Sequence, residues 1–319
     1  MSAAAPQAAT GRTGPEPAPV RRGPARNRAA FAFLLPFGLL FTALFLLPIG
    51  YALWQSLFRI ERSGLGFGPA RTVFAGLDNY TAALGDGSFL TGVGRVLLFG
   101  AVQVPVMLGL ALGLALLIDA KGTRLKKFFR LAYFLPYAIP GVVATILWAF
   151  LYLPGTSPLV AGLKDIGIDA DFLSPDTVLW SMANIVTWTW TGYNMLVILS
   201  ALQAIPSDLY EAADLDGAGP WRIAWHIKIP LVAPALVLTG IFSIIGTLQL
   251  FTEPMVLHSL ASTVAADYTP NMAAYNAAFG NNDYGKAAAI AVLLALATCA
   301  LSFTFLRLSV RLTGNRVTA

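Results

Sequence analysis

The chain has 319 residues, of which 57% are hydrophobic and only 12% charged, with a mean hydropathy of +0.69. An average soluble domain is about 25% charged, so this composition all but excludes a water-soluble enzyme. The single cysteine, Cys299, rules out an internal disulfide framework and a thiolate metal site. In a chain this apolar, a net charge of +5 and a pI of about 9.4 read as a topology signal before they suggest nucleic acid.

In chain order, residues 1–30 hold 8 Pro or Gly and no apolar run, which predicts a disordered tail. Six apolar stretches follow, at residues 31–57, 94–118, 131–153, 178–202, 231–251 and 287–306. A membrane-crossing helix needs about 20 such residues, and each run far exceeds the strand of a β-barrel. The first run is too long for a signal peptide and is followed by no small-residue cleavage site, so it is read as an uncleaved helix.

The basic residues test this count. With the amino terminus inside, 15 of the 21 Lys and Arg fall in cytoplasmic segments and 6 outside. Shifting the register by one helix destroys that alternation. The expectation is an all-α membrane protein with six transmembrane helices and both termini cytoplasmic, multi-pass in the cell membrane.

Several absences narrow the function. The chain has no GxxxxGK[ST], no HExxH and no GxSxG. The only histidines, His226 and His258, fall on opposite sides of the membrane in this topology and cannot share a metal. Ionisable residues are almost missing from the spans, and Asp119 and Glu253 stand only at helix ends. A proton- or sodium-coupled carrier usually needs such groups at membrane depth, so any transport here draws its energy from elsewhere.

The cytoplasmic segment 206–230 is the most informative. Ser207 is placed to cap a short helix with Asp208 and Glu211 in its first turns. Gly217 and Gly219 end that helix and allow a sharp bend. Pro220 opens a second short helix, which Pro230 closes at the membrane. The product is an elbow of two small helices with an alanine-lined face, suited to docking against a partner.

This elbow resembles the EAA coupling motif of permease subunits in binding-protein-dependent ABC importers. Glu211, Ala212, Ala213, Gly217, Ile227 and Pro230 match six of the seven fixed positions, with Ile229 in place of Leu. From about Leu90 onward the chain is similar to the carbohydrate-uptake permeases with the type I importer fold. Phe129-Arg130, Phe134-Leu135-Pro136 and Ile139-Pro140 resemble the head of their third span, and Tyr284-Gly285-Lys286-Ala287 the head of their last. Two departures, at Gly94-Arg95 and at 259–262, lie near the outer mouth. The resemblance implies a tail at 1–30, a first helix and outer loop at 31–89, a transmembrane domain at 90–309 and a second tail at 310–319.

The resemblance further implies alternating access driven by two ATPase subunits, with a second permease subunit and an extracytoplasmic solute-binding protein as partners. ATP and Mg would reside on the ATPase chains, leaving this chain without cofactor, catalytic residue or metal. Glu211 would make the charged contact with the ATPase. The sugar would be met by polar and aromatic groups within the spans. The fourth span supplies Asn184, Trp188, Thr191 and Asn194 near one helical stripe, and Gln103 and Gln249 are further candidates. Helix-to-helix bonding is the structural alternative for each of them. Another solute of the same superfamily, such as glycerol phosphate or a polyamine, and a stand-alone carrier or scaffold are the competing functions.

Overall fold

The computed structural model describes residues 24–62, 70–120 and 122–317. It divides into two compact units, Met1–Gly50 and Tyr51–Ala319. In the first, α1 (Pro24–Phe41) passes through a π-helical turn, Thr42–Leu46, toward α2 (Leu47–Gln55). Phe37, Phe41 and Phe45 stack at successive i,i+4 positions, with ring centroids 5.8 and 5.4 Å apart. The helix starts at Pro24, inside the segment expected to be disordered. Proline suits a first helical position, and the alanines at 25, 29 and 30 carry the helix into the apolar run. Residues 1–23, the rest of the expected tail, lie outside the described residues.

The segment after the first span is an antiparallel hairpin, β1 (Phe58–Arg62) with β2 (Ala70–Phe74), pairing Phe58 with Phe74. Two helices hold it. Asn79 on α3 (Asp78–Leu84) donates through Nδ2 to the carbonyls of Ser56 and Phe58, at 2.8 and 2.9 Å. Gly285 packs so closely on the Phe58 carbonyl that a Cβ there would overlap its oxygen.

The core is a set of long helices around α4 (Gly87–Asp119), whose 33 residues span about 50 Å at 1.5 Å per residue. Asp86 caps α4 by accepting from the Ser88 backbone N–H at 3.1 Å. It also pairs with Lys286 at 2.9 Å. The Lys286 bond and the Ser88 hydroxyl hold the Asp86 carboxyl down at about 2. The contribution of this pair is therefore complete above pH 3.8, the ordinary value, and is lost as pH falls toward 2.

The third apolar run is broken. α5 (Lys126–Phe134) and a 3₁₀ turn, Leu135–Ala138, meet α6 (Gly141–Tyr152) at a 94° bend. Ile139 is extended, the conformation that a following proline ring favours, and Pro140 has no N–H to continue the ladder. Among the described residues, five helical stretches are long and apolar enough to cross a membrane, and the bent pair taken as one span makes a sixth. α7 (Pro158–Asp165), capped by Ser157, leads to α8 (Val178–Gln203).

After α8 come α9 (Asp208–Leu215) and α10 (Pro220–Ile223), then α11 (Ile229–Leu248), α12 (Thr252–His258), α13 (Pro270–Tyr275) and α14 (Tyr284–Val317). α14 runs through residues 310–317, where a tail was expected. Ala111, Ala115 and Ile118 of α4 pack on Met195, Ile198, Leu199 and Leu202 of α8 and Val232 of α11. Small residues let these backbones approach. The tightest contact is at Gly192 in α8, where a Cβ would fall onto the Tyr133 carbonyl of α5. Gly192→Ala is expected to cost about 1–3 kcal/mol by overpacking. Gly109→Ala, with nothing within 4 Å of its Cβ position, is expected to hold or raise the melting temperature. Thermal unfolding of the two purified variants checks the contrast.

Candidate functional site

The elbow forms as two helices joined at Gly217. Its φ of +73° is left-handed, the Gly217 N–H bonds the Asp214 carbonyl at 3.1 Å, and the Ala218 N–H bonds the Ala213 carbonyl at 2.9 Å. These are the two bonds of a Schellman ending, which needs glycine in this position. The capping expected of Ser207 does not form, because its backbone is already helical and its hydroxyl turns to Asp208 at 3.4 Å. Glu211 and Ala212 are exposed while Ala213 and Ile223 are buried. Leu215, Trp221 and Trp225 stand in the open at 90%, 78% and 60% exposure.

The second arm is not closed by Pro230. α10 continues through a π-helical turn, Ala224–Lys228, directly into α11, so the arm is the near end of a helix that runs unbroken to Leu248. The physical cause is local: Pro230 offers no N–H to the His226 carbonyl, and the helix widens by one residue just before it. Ile227 and Pro230 are half-buried along this stretch. Lys228, at the base of the arm, forms an ion pair with Asp119, the last residue of α4. Its ammonium also lies 5.2 Å from the ring of Tyr210 on α9. Burial, and then the Asp119 charge, push the Tyr210 hydroxyl up. Lys228 therefore ties both arms of the elbow to the end of a core helix.

A second feature is a cavity of about 290 Å³ among α4, α8, α11 and α12. Of the six predicted pathway residues, Gln103, Asn194 and Gln249 line it. The other three do not. Asn184 donates to the Tyr152 hydroxyl at 2.8 Å, Trp188 meets Trp148 edge-on at 5.7 Å, and Thr191 bonds back to the Thr187 carbonyl at 2.5 Å. At 100° per residue, the cavity side of α8 is turned roughly 140° from the stripe of Asn184, Trp188 and Thr191. That side carries Val186, Trp190 and Tyr193 together with Asn194.

Within the cavity, Gln103 is 2% exposed. It donates through Nε2 to Thr187 Oγ1 at 3.3 Å, while its buried Oε1 has no protein partner. Asn194 donates through Nδ2 to the Trp190 carbonyl at 3.1 Å. Tyr193 stacks on Tyr137 with centroids 4.9 Å apart, and Trp190 meets the same ring edge-on at 5.2 Å. The far wall comes from a break in the fifth span between Leu248 and Thr252. Thr269 Oγ1 donates to the Leu250 carbonyl at 3.0 Å, satisfying part of the opened backbone. The break brings Gln249, Thr252 and Glu253 to the cavity. Glu253 does stand at a helix end, as the sequence indicates, but that end lies inside the span. Trp190, Tyr193 and Glu253 are the lining groups that periodicity alone does not single out.

The ion pair under the elbow yields a test. The Asp119 and Lys228 side chains are only 17% and 15% exposed, so removing one partner leaves a poorly solvated charge. Asp119→Asn and Lys228→Met are each expected to cost about 2–3 kcal/mol, and the double variant clearly less than their sum. Unfolding measured on all four proteins reads the coupling; strict additivity would show that the pair contributes nothing.

Residues 106–313 match the family described as "Binding-protein-dependent transport system inner membrane component". The chain is 32% identical over 276 residues to the sn-glycerol-3-phosphate transport system permease protein UgpA of Agrobacterium fabrum, covering 85% of this chain and 91% of that one. It is 31% identical to the trehalose transport system permease protein SugA of Mycobacterium tuberculosis, covering 89% of each. Its fold is similar to a chain in the crystal structure of a bacterial ABC transporter involved in the import of the acidic polysaccharide alginate. There the TM-score is 0.76 at 21% identity, over 90% of this chain and 96% of the other. The matched residues, with relatives more than 30% identical over most of both chains, lead to one conclusion: the chain belongs to the family of inner membrane components of binding-protein-dependent transport systems.

Proposed function

We propose that this chain is the permease subunit of an ATP-driven importer that moves a sugar into the cell by alternating access. The carrying observation is the elbow, an exposed pair of short helices hinged at a left-handed glycine and continuous, through a π turn, with a span that walls the cavity. A push on α10 is transmitted along unbroken helix as far as Leu248, at the edge of the cavity. The elbow faces the cytoplasm, as do both termini, in keeping with the basic-residue count. Two ATPase subunits hold ATP and Mg, and Glu211 with Ala212, Ala213, Gly217, Ile227 and Pro230 forms this chain's side of the contact with one of them. A second permease subunit completes the pathway, and an extracytoplasmic binding protein delivers the solute.

A carbohydrate is favoured by the cavity and by the company the chain keeps. Trp190 and Tyr193 bring aromatic rings to the lining, groups suited to sugar C–H patches, and Gln103 and Asn194 bring amides suited to hydroxyls. Trehalose, diacetylchitobiose and arabinooligosaccharides are the solutes named for relatives at 28–31% identity.

Two outcomes test this reading in the reconstituted importer. Glu211→Lys and Gly217→Asp are expected to reach normal membrane levels yet lose transport and solute-stimulated ATP hydrolysis by on the order of a hundredfold; full uptake by either overturns the coupling role. Trp190→Ala and Asn194→Ala are expected to raise the sugar concentration for half-maximal uptake about tenfold. Asn184→Ala, whose side chain bonds Tyr152 away from the cavity, is expected to leave it within about twofold. Equal values in all three would remove the cavity from the pathway.

A further inference from the structure

Resting on the sugar-permease reading, we propose that the cavity selects a neutral, polyhydroxylated solute and rejects anionic ones, with Glu253 as the specificity-determining group. Among the described residues, Glu253 is the only charged side chain lining the cavity, and no Lys, Arg or His joins it. The hydrogen-bonding inventory points the same way. Gln103 directs its amide N–H to Thr187 and Asn194 directs its own to the Trp190 carbonyl. The lining also holds donors on Trp190, Tyr193, Ser243, Gln249 and Thr252, but the single charge it carries is an acceptor, the Glu253 carboxylate, and the Gln103 Oε1 is buried without a protein partner.

A buried acceptor left unpaired is costly, and a ligand that supplies a donor recovers that cost. Sugar hydroxyls are donors of this kind. A phosphate or uronate presents mainly acceptors and a negative charge. An anion about 4 Å from a carboxylate, at the effective dielectric of a protein site, is disfavoured on the order of a thousandfold. The distinction matters because relatives of this chain include a permease named for sn-glycerol 3-phosphate, and the importer of similar fold is described as carrying an acidic polysaccharide. Overall resemblance therefore does not separate neutral from anionic cargo, whereas the charge lining the cavity does.

The experiment is equilibrium binding to the purified, full importer complex without its binding protein, so that selection upstream is bypassed. The probes are radiolabelled trehalose and radiolabelled sn-glycerol 3-phosphate at millimolar concentration. The wild-type complex is expected to bind trehalose and to hold the anion at least about tenfold more weakly. Glu253→Gln removes the charge with little change in volume. It is expected to shift the two probes in opposite directions, weakening trehalose about three- to tenfold as a charge-assisted acceptor is lost and strengthening the anion tenfold or more. Gln103→Met, which removes the orphaned acceptor and keeps the bulk, is expected to weaken trehalose without admitting the anion. Continued exclusion of the anion by Glu253→Gln overturns the role of Glu253 while leaving the sugar reading intact. A wild-type complex that binds glycerol 3-phosphate in preference to trehalose overturns both.

Discussion

Inside a bilayer, every backbone N–H and C=O must find its partner within the protein, so a helix can be interrupted only where something else completes the ladder. This constraint organises the whole chain. Most of the described length is unbroken helix, and each interruption sits where it does a job. The bend at Ile139 and Pro140 turns the third span by 94°. The opening between Leu248 and Thr252, partly satisfied by Thr269, places polar side chains around a cavity. The Schellman turn at Gly217 makes the elbow. Two of the three π turns among the described residues come just before a proline, Pro48 and Pro230, where the missing N–H leaves a carbonyl to be re-accommodated.

The elbow and one wall of the cavity are joined by continuous helix. Because α10 runs through the π turn into α11, displacement of the arm holding Trp221 is a displacement of the helix that ends at Leu248, just before Gln249. The Asp119–Lys228 pair and the Tyr210 ring hold the base of the arm against α4, the same helix that contributes Gln103. Close contacts at Gly192 and along the alanine face of α4 keep the helices that carry these groups from sliding independently.

Much of the elbow was legible in the sequence. Glycine in a left-handed ending and proline at a first helical position are local backbone requirements, and both were met at Gly217 and Pro220. The same local reasoning failed where a competing local option was open: Ser207 is helical itself and does not cap, and Pro230 widens a helix instead of ending it. The cavity was half legible. Gln103, Asn194 and Gln249 line it, but the stripe of Asn184, Trp188 and Thr191 faces elsewhere. In a helix polar on more than one side, periodicity shows that a stripe exists and not what it meets.

By itself, then, the sequence determined the membrane class, the six crossings and the position of the elbow. Each follows from apolar length, from the placement of basic residues or from the conformational limits of glycine and proline, which are properties of single segments. Only the tertiary structure decided which face of the fourth span borders the cavity, that Lys228 pairs with an aspartate 109 residues earlier, and that Glu253, unremarkable at a helix end, lies in the wall of the cavity. Those facts depend on the rotation and crossing of helices packed against one another. That packing is set by small residues and buried side chains far apart in the chain, and no local pattern encodes it.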